Sequence, residues 1–169
     1  MSQHSAIKLV ELTWPEVEDL NRDLVVVCPI AAVEQHSRHL PLFTDSLLCE
    51  AVALRVEAAK PAEVLLLPVQ WLGASSHHLG MPGSLSADPH TLWQVYGGPL
   101  RCLLKHGFRR AFVLNGHGGN TDVFHLALQE LTLEFPEALL CGANYWDLAA
   151  SEVAALLTGG LKKIGHACE

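Results

Sequence analysis

LVVVCPI, residues 24–30, is an unbroken apolar run, and EQHSRHLPLFTD, residues 34–45, follows it almost directly. Because parallel strands covered on both faces carry continuous Val, Ile and Leu, the run predicts a buried strand. The polar segment is then a loop at the carboxyl end of that strand, which is where open α/β sheets hold their ligands. These two stretches predict an α/β fold with a polar site at one edge of the sheet.

The rest of the chain repeats the alternation of strand and helix. Further strands are predicted over residues 64–69, 110–114 and 138–143. Helices are predicted over residues 46–59, 89–106, 121–134 and 151–157. This order implies right-handed crossovers and a mainly parallel sheet, so the loops after the strands are expected to share one edge.

The helix over residues 46–59 carries two specific expectations. Either Asp45 or Thr44 is expected to cap its N-terminus. Its apolar residues are expected to form a buried stripe, and they are Leu47, Leu48, Ala51, Val52, Leu54 and Val56.

Length and composition favour one globular domain over residues 1–169. Of the 169 residues, 50% are hydrophobic and 17% are charged, which excludes a disordered chain. The net charge of −7, without a long basic cluster, argues against nucleic acid and anionic membranes as partners. The longest apolar stretch, residues 24–33, is far shorter than the ~20 residues that span a bilayer.

The cysteines and the N-terminus predict a cytoplasmic protein. The five cysteines are odd in number and scattered, with no Cys-x-x-Cys pair, which is typical of reduced thiols. Residues 1–5 lack the basic and then apolar layout of a signal peptide. Ten histidines are an unusual number for a chain of this length.

The loop after the first strand contains the residue types that bind divalent metals. In extended backbone alternate side chains point the same way, so Glu34 and His36 are able to reach one ion together. With Asp45 they form a donor set that suits zinc, manganese or a pair of such ions. The alternative is a solvated loop in which Asp45 only caps a helix.

Later loops add candidates, each with a plainer alternative. His117 lies in the glycine-rich turn NGHGGN, residues 115–120, where Gly118 and Gly119 offer backbone N–H groups to an oxyanion; the alternative is a tight turn with a surface histidine. Ser76 and His78 are either part of a pocket wall or simply solvated. The remaining candidates are Trp146, which faces either a substrate or the core, and the terminal pair His166 and Glu169.

Together these segments resemble the creatininase (creatinine amidohydrolase) family. The resemblance lies in residues 29–45, 76–84, 106–110, 115–120 and 165–169, in the family's order. It implies a three-layer α/β/α fold with a mainly parallel sheet, a centre of two divalent ions (zinc or manganese, with iron also compatible) and hydrolysis of cyclic or linear amide C–N bonds.

The resemblance also assigns roles by position. Metal ligands are implied at Glu34, His36, Asp45, His117 and Glu169, with Asp45 bridging both ions. His166 matches the catalytic acid/base. Trp146 falls near a substrate-covering tryptophan, and Ser76, His78, Gly118 and Gly119 are predicted to contact the substrate.

The chain departs from the family pattern at two places and from creatininase itself at a third. Ser37-Arg38 stands where many relatives have Gly-Pro. Gly119 stands where creatininase itself has a glutamate, which argues against creatinine as the substrate. Relatives continue past Glu169, so the sequence is expected to be either a fragment or a short form of the family domain.

The predicted function is therefore hydrolysis of an amide bond, other than a peptide bond, in a small molecule by a homo-oligomer, with a hexamer compatible. One alternative is a metal-dependent lyase or isomerase on a sugar-like substrate, which would use the same site for enolate chemistry. Another is a non-catalytic member of the family that acts as a binding or assembly module.

Overall fold

A computed structural model of the chain describes residues 7–156, and its centre is a four-stranded sheet. Every neighbouring pair of strands is parallel, in the order β2-β1-β3-β4. The strands are β1 (Val25–Ile30), β2 (Val64–Leu66), β3 (Arg110–Asn115) and β4 (Leu139–Asn144). The apolar run of residues 24–30 is the central strand β1, as predicted.

Helices cover both faces of the sheet and complete a three-layer α/β/α fold. The α-helices are α1 (Trp14–Glu18), α2 (Thr44–Ala59), α3 (Pro89–Lys105), α4 (Thr121–Glu134), α5 (Tyr145–Leu148) and α6 (Ala150–Leu156). Short 3₁₀ turns are found at Leu9–Glu11, Ser76–His78 and Gly118–Asn120. Helix α2 packs on one face, while α3 and α4 pack on the other.

The alternation of side chains along β1 separates the two cores. Val26, Cys28 and Ile30 join the larger cluster under α3 and α4. Val25 and Val27 face the opposite way and pack in the smaller cluster under α2. Since successive residues of a strand point to opposite faces, a run without polar residues is what a strand covered on both sides requires.

The predicted orientation of α2 is wrong. Leu47, Leu48 and Leu54 are 50%, 43% and 39% exposed, whereas Cys49 and Ala53 are buried against the sheet. The buried positions Asp45, Cys49, Ala53 and Glu57 recur every fourth residue, so they form one face of the helix. That face is small or polar because it carries Asp45 and lies close to the sheet, and the larger apolar residues are left outside.

The predicted N-terminal cap of α2 is also wrong. The helix begins at Thr44, after Phe43, and no side chain caps it. Thr44 donates its hydroxyl to the carbonyl of Pro41, at 2.6 Å, and Asp45 lies inside the first turn. The Asp45 carboxylate is therefore directed to other partners.

The other boundaries differ from the predictions by small amounts. Helix α3 runs unbroken through Gly97-Gly98-Pro99, and Asp88 caps it by accepting from the N–H groups of His90 and Thr91. Strand β2 is shorter than predicted, while β3 and β4 each end one residue later, at Asn115 and Asn144. Among residues 7–156, no helix combines the length and apolar character needed to cross a bilayer.

Candidate metal centre

The loops after β1, β2 and β3 meet at the carboxyl edge of the sheet. The N–H of Ala31 donates to Gln70, and the N–H of Gly116 donates to Ile30, each at 2.8 Å. These backbone bonds hold the ends of the three strands side by side. The loop that contains Glu34 and the turn that contains His117 are thus brought together, as the parallel topology predicts.

Glu34, Asp45 and His117 form a buried cluster of potential ligand atoms. One atom from each residue lies within 4.8 Å of the others. The three residues are 0%, 8% and 5% exposed, respectively. Nδ1 of His117 is 3.0 Å from Oδ2 of Asp45 and 3.3 Å from Oε1 of Glu34. Two carboxylates in one buried site need a cation beside them.

The orientation of the His117 ring shows which nitrogen faces that cluster. Nε2 lies 3.1 Å from the carbonyl oxygen of Ala74 and 3.3 Å from the hydroxyl of Ser75. A carbonyl only accepts, so Nε2 carries the hydrogen and Nδ1 directs a lone pair at the carboxylates. Either a proton or a metal ion fits there. Burial by itself would lower the pKa of His117, but hydrogen bonds to Asp45 and Glu34 outweigh it and raise that pKa to about 10.

His36 repeats this arrangement on the other side of Asp45. Its Nδ1 lies 3.2 Å from the backbone oxygen of Glu34 and donates to it. Its Nε2 then directs a lone pair at Oδ1 of Asp45, at 3.0 Å. As at His117, either a proton or a metal ion fits at this contact. Asp45 thus presents one oxygen to His36 and the other to His117, which is the geometry of a carboxylate shared by two cation positions.

Gly116 and Gly119 permit the close approach of the His117 turn. A Cβ atom at Gly116 would lie 2.5 Å from Cβ of Cys49 on α2. One at Gly119 would meet the carbonyl oxygen of Ala74 and would lie 2.5 Å from Nε2 of His117. A glutamate at position 119 therefore does not fit this turn without a shift of the Ala74 loop.

Three asparagines, Asn115, Asn120 and Asn144, fix the turn in place. The amide of Asn115 donates to the His117 carbonyl at 2.6 Å and to Asn144 at 2.8 Å, and its oxygen accepts from the His117 N–H at 3.1 Å. Asn120, fully buried, donates to Ala31 and accepts from the N–H of Ala74, each at 3.0 Å. In the sequence, the place of Asn120 directly before a predicted helix was the one sign that it has a structural role.

Two residues that the sequence analysis did not single out lie at the centre beside the predicted ones. Ser76 is exposed, whereas its neighbour Ser75 is buried and contacts His117. Tyr145, at the start of α5, packs against the smaller apolar cluster under α2. Burial raises the pKa of its phenol, and the charge of Asp45 raises it further. Residues 75–78 are all polar and have no alternation with apolar residues, so the sequence does not show which of the two serines faces inward.

The remaining candidates have different outcomes. His78 is half-buried, with Nε2 3.9 Å from Oε1 of Glu34, and with His77 and Glu34 it forms a second group of potential ligands within 4.8 Å. Gly118 and Gly119 open the 3₁₀ turn that leads into α4. Trp146 is half-buried on α5, edge-on to Tyr145 at 5.1 Å. His166 and Glu169 lie outside the described residues.

Comparison with known proteins identifies relatives that match most of the chain. The profile of the creatininase family, described as creatinine amidohydrolase, matches residues 10–169. A creatinine amidohydrolase of Pseudomonas putida is 34% identical over 152 residues, or 81% of this chain and 56% of that protein. A mycofactocin precursor peptide peptidase of Mycobacterium tuberculosis (strain CDC 1551 / Oshkosh) is 35% identical over 127 residues, or 69% and 49%. The chain spans about half the length of these curated relatives.

A solved structure confirms the resemblance in three dimensions. A mutant creatininase described as the Zn-Zn type matches with a TM-score of 0.79 and 30% identity. The match covers 92% of this chain and 65% of that one. The predicted fold class is therefore correct.

Proposed function

The chain belongs to the creatininase family, and we propose that it is a metal-dependent amidohydrolase whose ligands are Glu34, His36, Asp45 and His117. The observation that carries this proposal is the position of Asp45, whose two oxygens face two different imidazole nitrogens at 3.0 Å each. Each nitrogen offers a lone pair to a metal ion when it is not protonated, so the site suits cations.

The donor set fits two divalent ions, and we infer zinc or manganese, with iron compatible. Imidazole nitrogens and carboxylate oxygens are common ligands of these ions. The Zn-Zn type of the similar creatininase structure supports a pair. Such ions supply a hydroxide near neutral pH and polarise the carbonyl of a bound substrate.

The chain's own residues hold the reacting groups in place. Glu34 and Asp45 are buried, so their charges act in a site with little water. The N–H groups of Gly118 and Gly119, at the start of a helical turn, are proposed to bind the oxygen that gains charge during amide cleavage. His78 and Trp146 are proposed to contact the substrate, and Ser76 is exposed at the rim of the same loop.

Two residues at the end of the sequence are proposed to complete the site. Glu169 is proposed as a further metal ligand. His166 is proposed as the acid that gives a proton to the leaving nitrogen, a role suited to an imidazole with a pKa near its usual ~6.5. Neither assignment uses the contacts among residues 34–117, so the proposed ligands there stand without them.

We propose a small-molecule amide as the substrate. Gly119 argues against creatinine, because creatininase has a glutamate at that position. Since one relative is named for a peptide, the panel of test compounds should contain peptide amides beside cyclic and linear ones. Release of an amine or a carboxylate would support hydrolysis, and rearrangement of sugar-like compounds without such release would support the lyase or isomerase alternative.

We also propose that the chain is a single domain that assembles into a homo-oligomer in the cytoplasm. The outward face of α2 carries Leu47, Leu48 and Leu54, which are all more than one-third exposed. An apolar strip of this kind is typical of an interface. The mass in solution, measured by light scattering, should be a multiple of the chain mass and should fall when Leu47 and Leu54 are both replaced by glutamate.

Metal analysis of the purified protein tests the proposed function. The wild type should contain about two ions per chain, in line with two-ion sites, and no bound metal would favour the binding-module alternative. Asp45→Ala should remove both ions, and His117→Ala should remove one ion and the activity. The control is Asp23→Ala, an exposed carboxylate outside the cluster. Full metal occupancy in both variants would overturn the assignment.

A further inference from the structure

The side chains of Gln35 and His78 are joined at the edge of the metal centre. Nε2 of Gln35 lies 3.2 Å from Nδ1 of His78. The other end of the amide, Oε1, accepts from the N–H of Ser37 at 2.9 Å. Because a backbone N–H only donates, it must face the amide oxygen, and this contact leaves the amide nitrogen toward the histidine.

The orientation of this amide determines the tautomer of His78. An amide nitrogen donates and does not accept, so Nδ1 of His78 must be the acceptor. In a neutral ring the hydrogen is then on Nε2. Nε2 is the nitrogen that faces the centre, 3.9 Å from Oε1 of Glu34. His78 therefore presents an N–H group to the site.

In the two proposed ligand histidines, the hydrogen is on the nitrogen that faces away from the centre. His36 donates Nδ1–H to the backbone oxygen of Glu34, and His117 donates Nε2–H to that of Ala74. Their inward nitrogens offer lone pairs when they are not protonated, as a metal ligand requires. When the outer ring nitrogen donates to a backbone carbonyl, the inner nitrogen is free of hydrogen and can bind a metal. When the outer nitrogen accepts from an amide N–H, the inner nitrogen carries the hydrogen and is a donor.

The fold holds Gln35 in the required position. Its backbone N–H donates to the hydroxyl of Ser84 at 3.0 Å, which ties the β1 loop to the loop that carries His78. Ser37 has a positive φ of 57°, and its N–H lies beneath the Gln35 amide. The amide is thus held by contacts at both ends.

We propose that Gln35 is a positioning residue that holds His78 in the Nε2–H tautomer, so that His78 is a neutral hydrogen-bond donor at the metal centre and not a metal ligand. The group formed by Glu34, His77 and His78 is accordingly not a cation site, despite its short distances. The partner of the donor is the carbonyl oxygen of an amide substrate, and this last role rests on the proposed function.

Nitrogen-15 NMR of the histidine rings tests the tautomer directly. Spectra of the labelled protein, with and without zinc and at a pH where imidazole is neutral, should show hydrogen on Nε2 of His78. His78→Leu identifies the signals. Gln35→Glu, whose carboxylate only accepts, should move the hydrogen to Nδ1, and Gln35→Leu should give both tautomers. Hydrogen on Nδ1 in the wild type, or an unchanged pattern in Gln35→Glu, would overturn the proposal.

Zinc content provides the second measurement. His78→Leu and His77→Leu should keep the same number of zinc ions per chain as the wild type, whereas His117→Leu should lose one. Loss of an ion in the His78 variant, with or without loss in the His77 variant, would show that His78 is a ligand and would refute the proposal. A wild type without zinc would contradict the proposed function, while the NMR result would still decide the tautomer.

Discussion

Asp45 lies in helix α2 and His117 in the loop after β3, yet Oδ2 of Asp45 and Nδ1 of His117 are 3.0 Å apart. The contact depends on the inward face of α2 and on the glycine turn after β3. Both partners are buried, so water solvates neither charge well and each depends on the other.

Gly119→Ala should disturb the metal centre, because a Cβ at this position would meet the Ala74 carbonyl and the His117 ring. Displacing groups that orient a ligand typically lowers metal affinity by roughly 10–100-fold. Gly118→Ala is the matched control, since a Cβ there has nothing within 4 Å. Zinc affinity measured by competition with a chelator checks the prediction, and equal affinities for the two variants would contradict it.

Ser37→Gly should stabilise the protein. Ser37 is the one non-glycine residue with positive φ among residues 7–156. The left-handed conformation costs a residue with a Cβ about 1–2 kcal/mol, and the greater unfolded-state freedom of glycine offsets part of the gain. A net increase of up to about 1 kcal/mol should raise the melting temperature by roughly 2–4 °C.

Ser76→Gly is the control for that measurement. Ser76 is exposed and has an ordinary backbone conformation, so glycine there should lower stability slightly. A Ser37→Gly protein that melts at or below the wild-type temperature would show that the turn is not strained.

The metal-free protein should lose stability as the pH rises. The folded-state pKa of His117 is raised from 6.5 to about 10. The stabilisation from its protonated ring is then fully present below about 6.5 and is lost as the pH rises through about 10. Melting temperatures of chelator-treated protein across this range should fall more in the wild type than in His117→Asn. Parallel pH profiles for the two proteins would contradict the prediction.

The cysteines should differ in reactivity. Burial raises the pKa of the Cys28 thiol and of the Cys49 thiol to about 12, so little thiolate forms at either. Cys102 and Cys141 are exposed. Alkylation of the native protein followed by peptide mass spectrometry should label Cys102 and Cys141 and leave Cys28 and Cys49 unmodified. Labelling of these four cysteines in denaturant is the control. Rapid labelling of Cys49 in the native protein would show that α2 is not packed as described.

Much of the fold could be predicted because the signals are local. Continuous Val, Ile and Leu mark β1, and Asn115 through Asn120 mark a strand-to-helix turn. The parallel order then places Glu34, His36, Asp45 and His117 at one edge. The orientation of α2 could not be predicted in this way, because its large apolar residues lie on its outer face. The apolar stripe shows only which face avoids water, and a neighbouring molecule can cover that face as well as the protein's own core can.

The sequence by itself determined the parallel α/β sheet, the loops that carry polar candidate residues and the residues proposed as metal ligands. Only the tertiary structure decided what each histidine does there. His36 and His117 have a backbone carbonyl behind the ring, whereas His78 has the Gln35 amide. Which ring nitrogen carries the hydrogen depends on a partner that is remote in sequence for His117 and His78, so the difference between a metal ligand and a hydrogen-bond donor arises only when the loops have met.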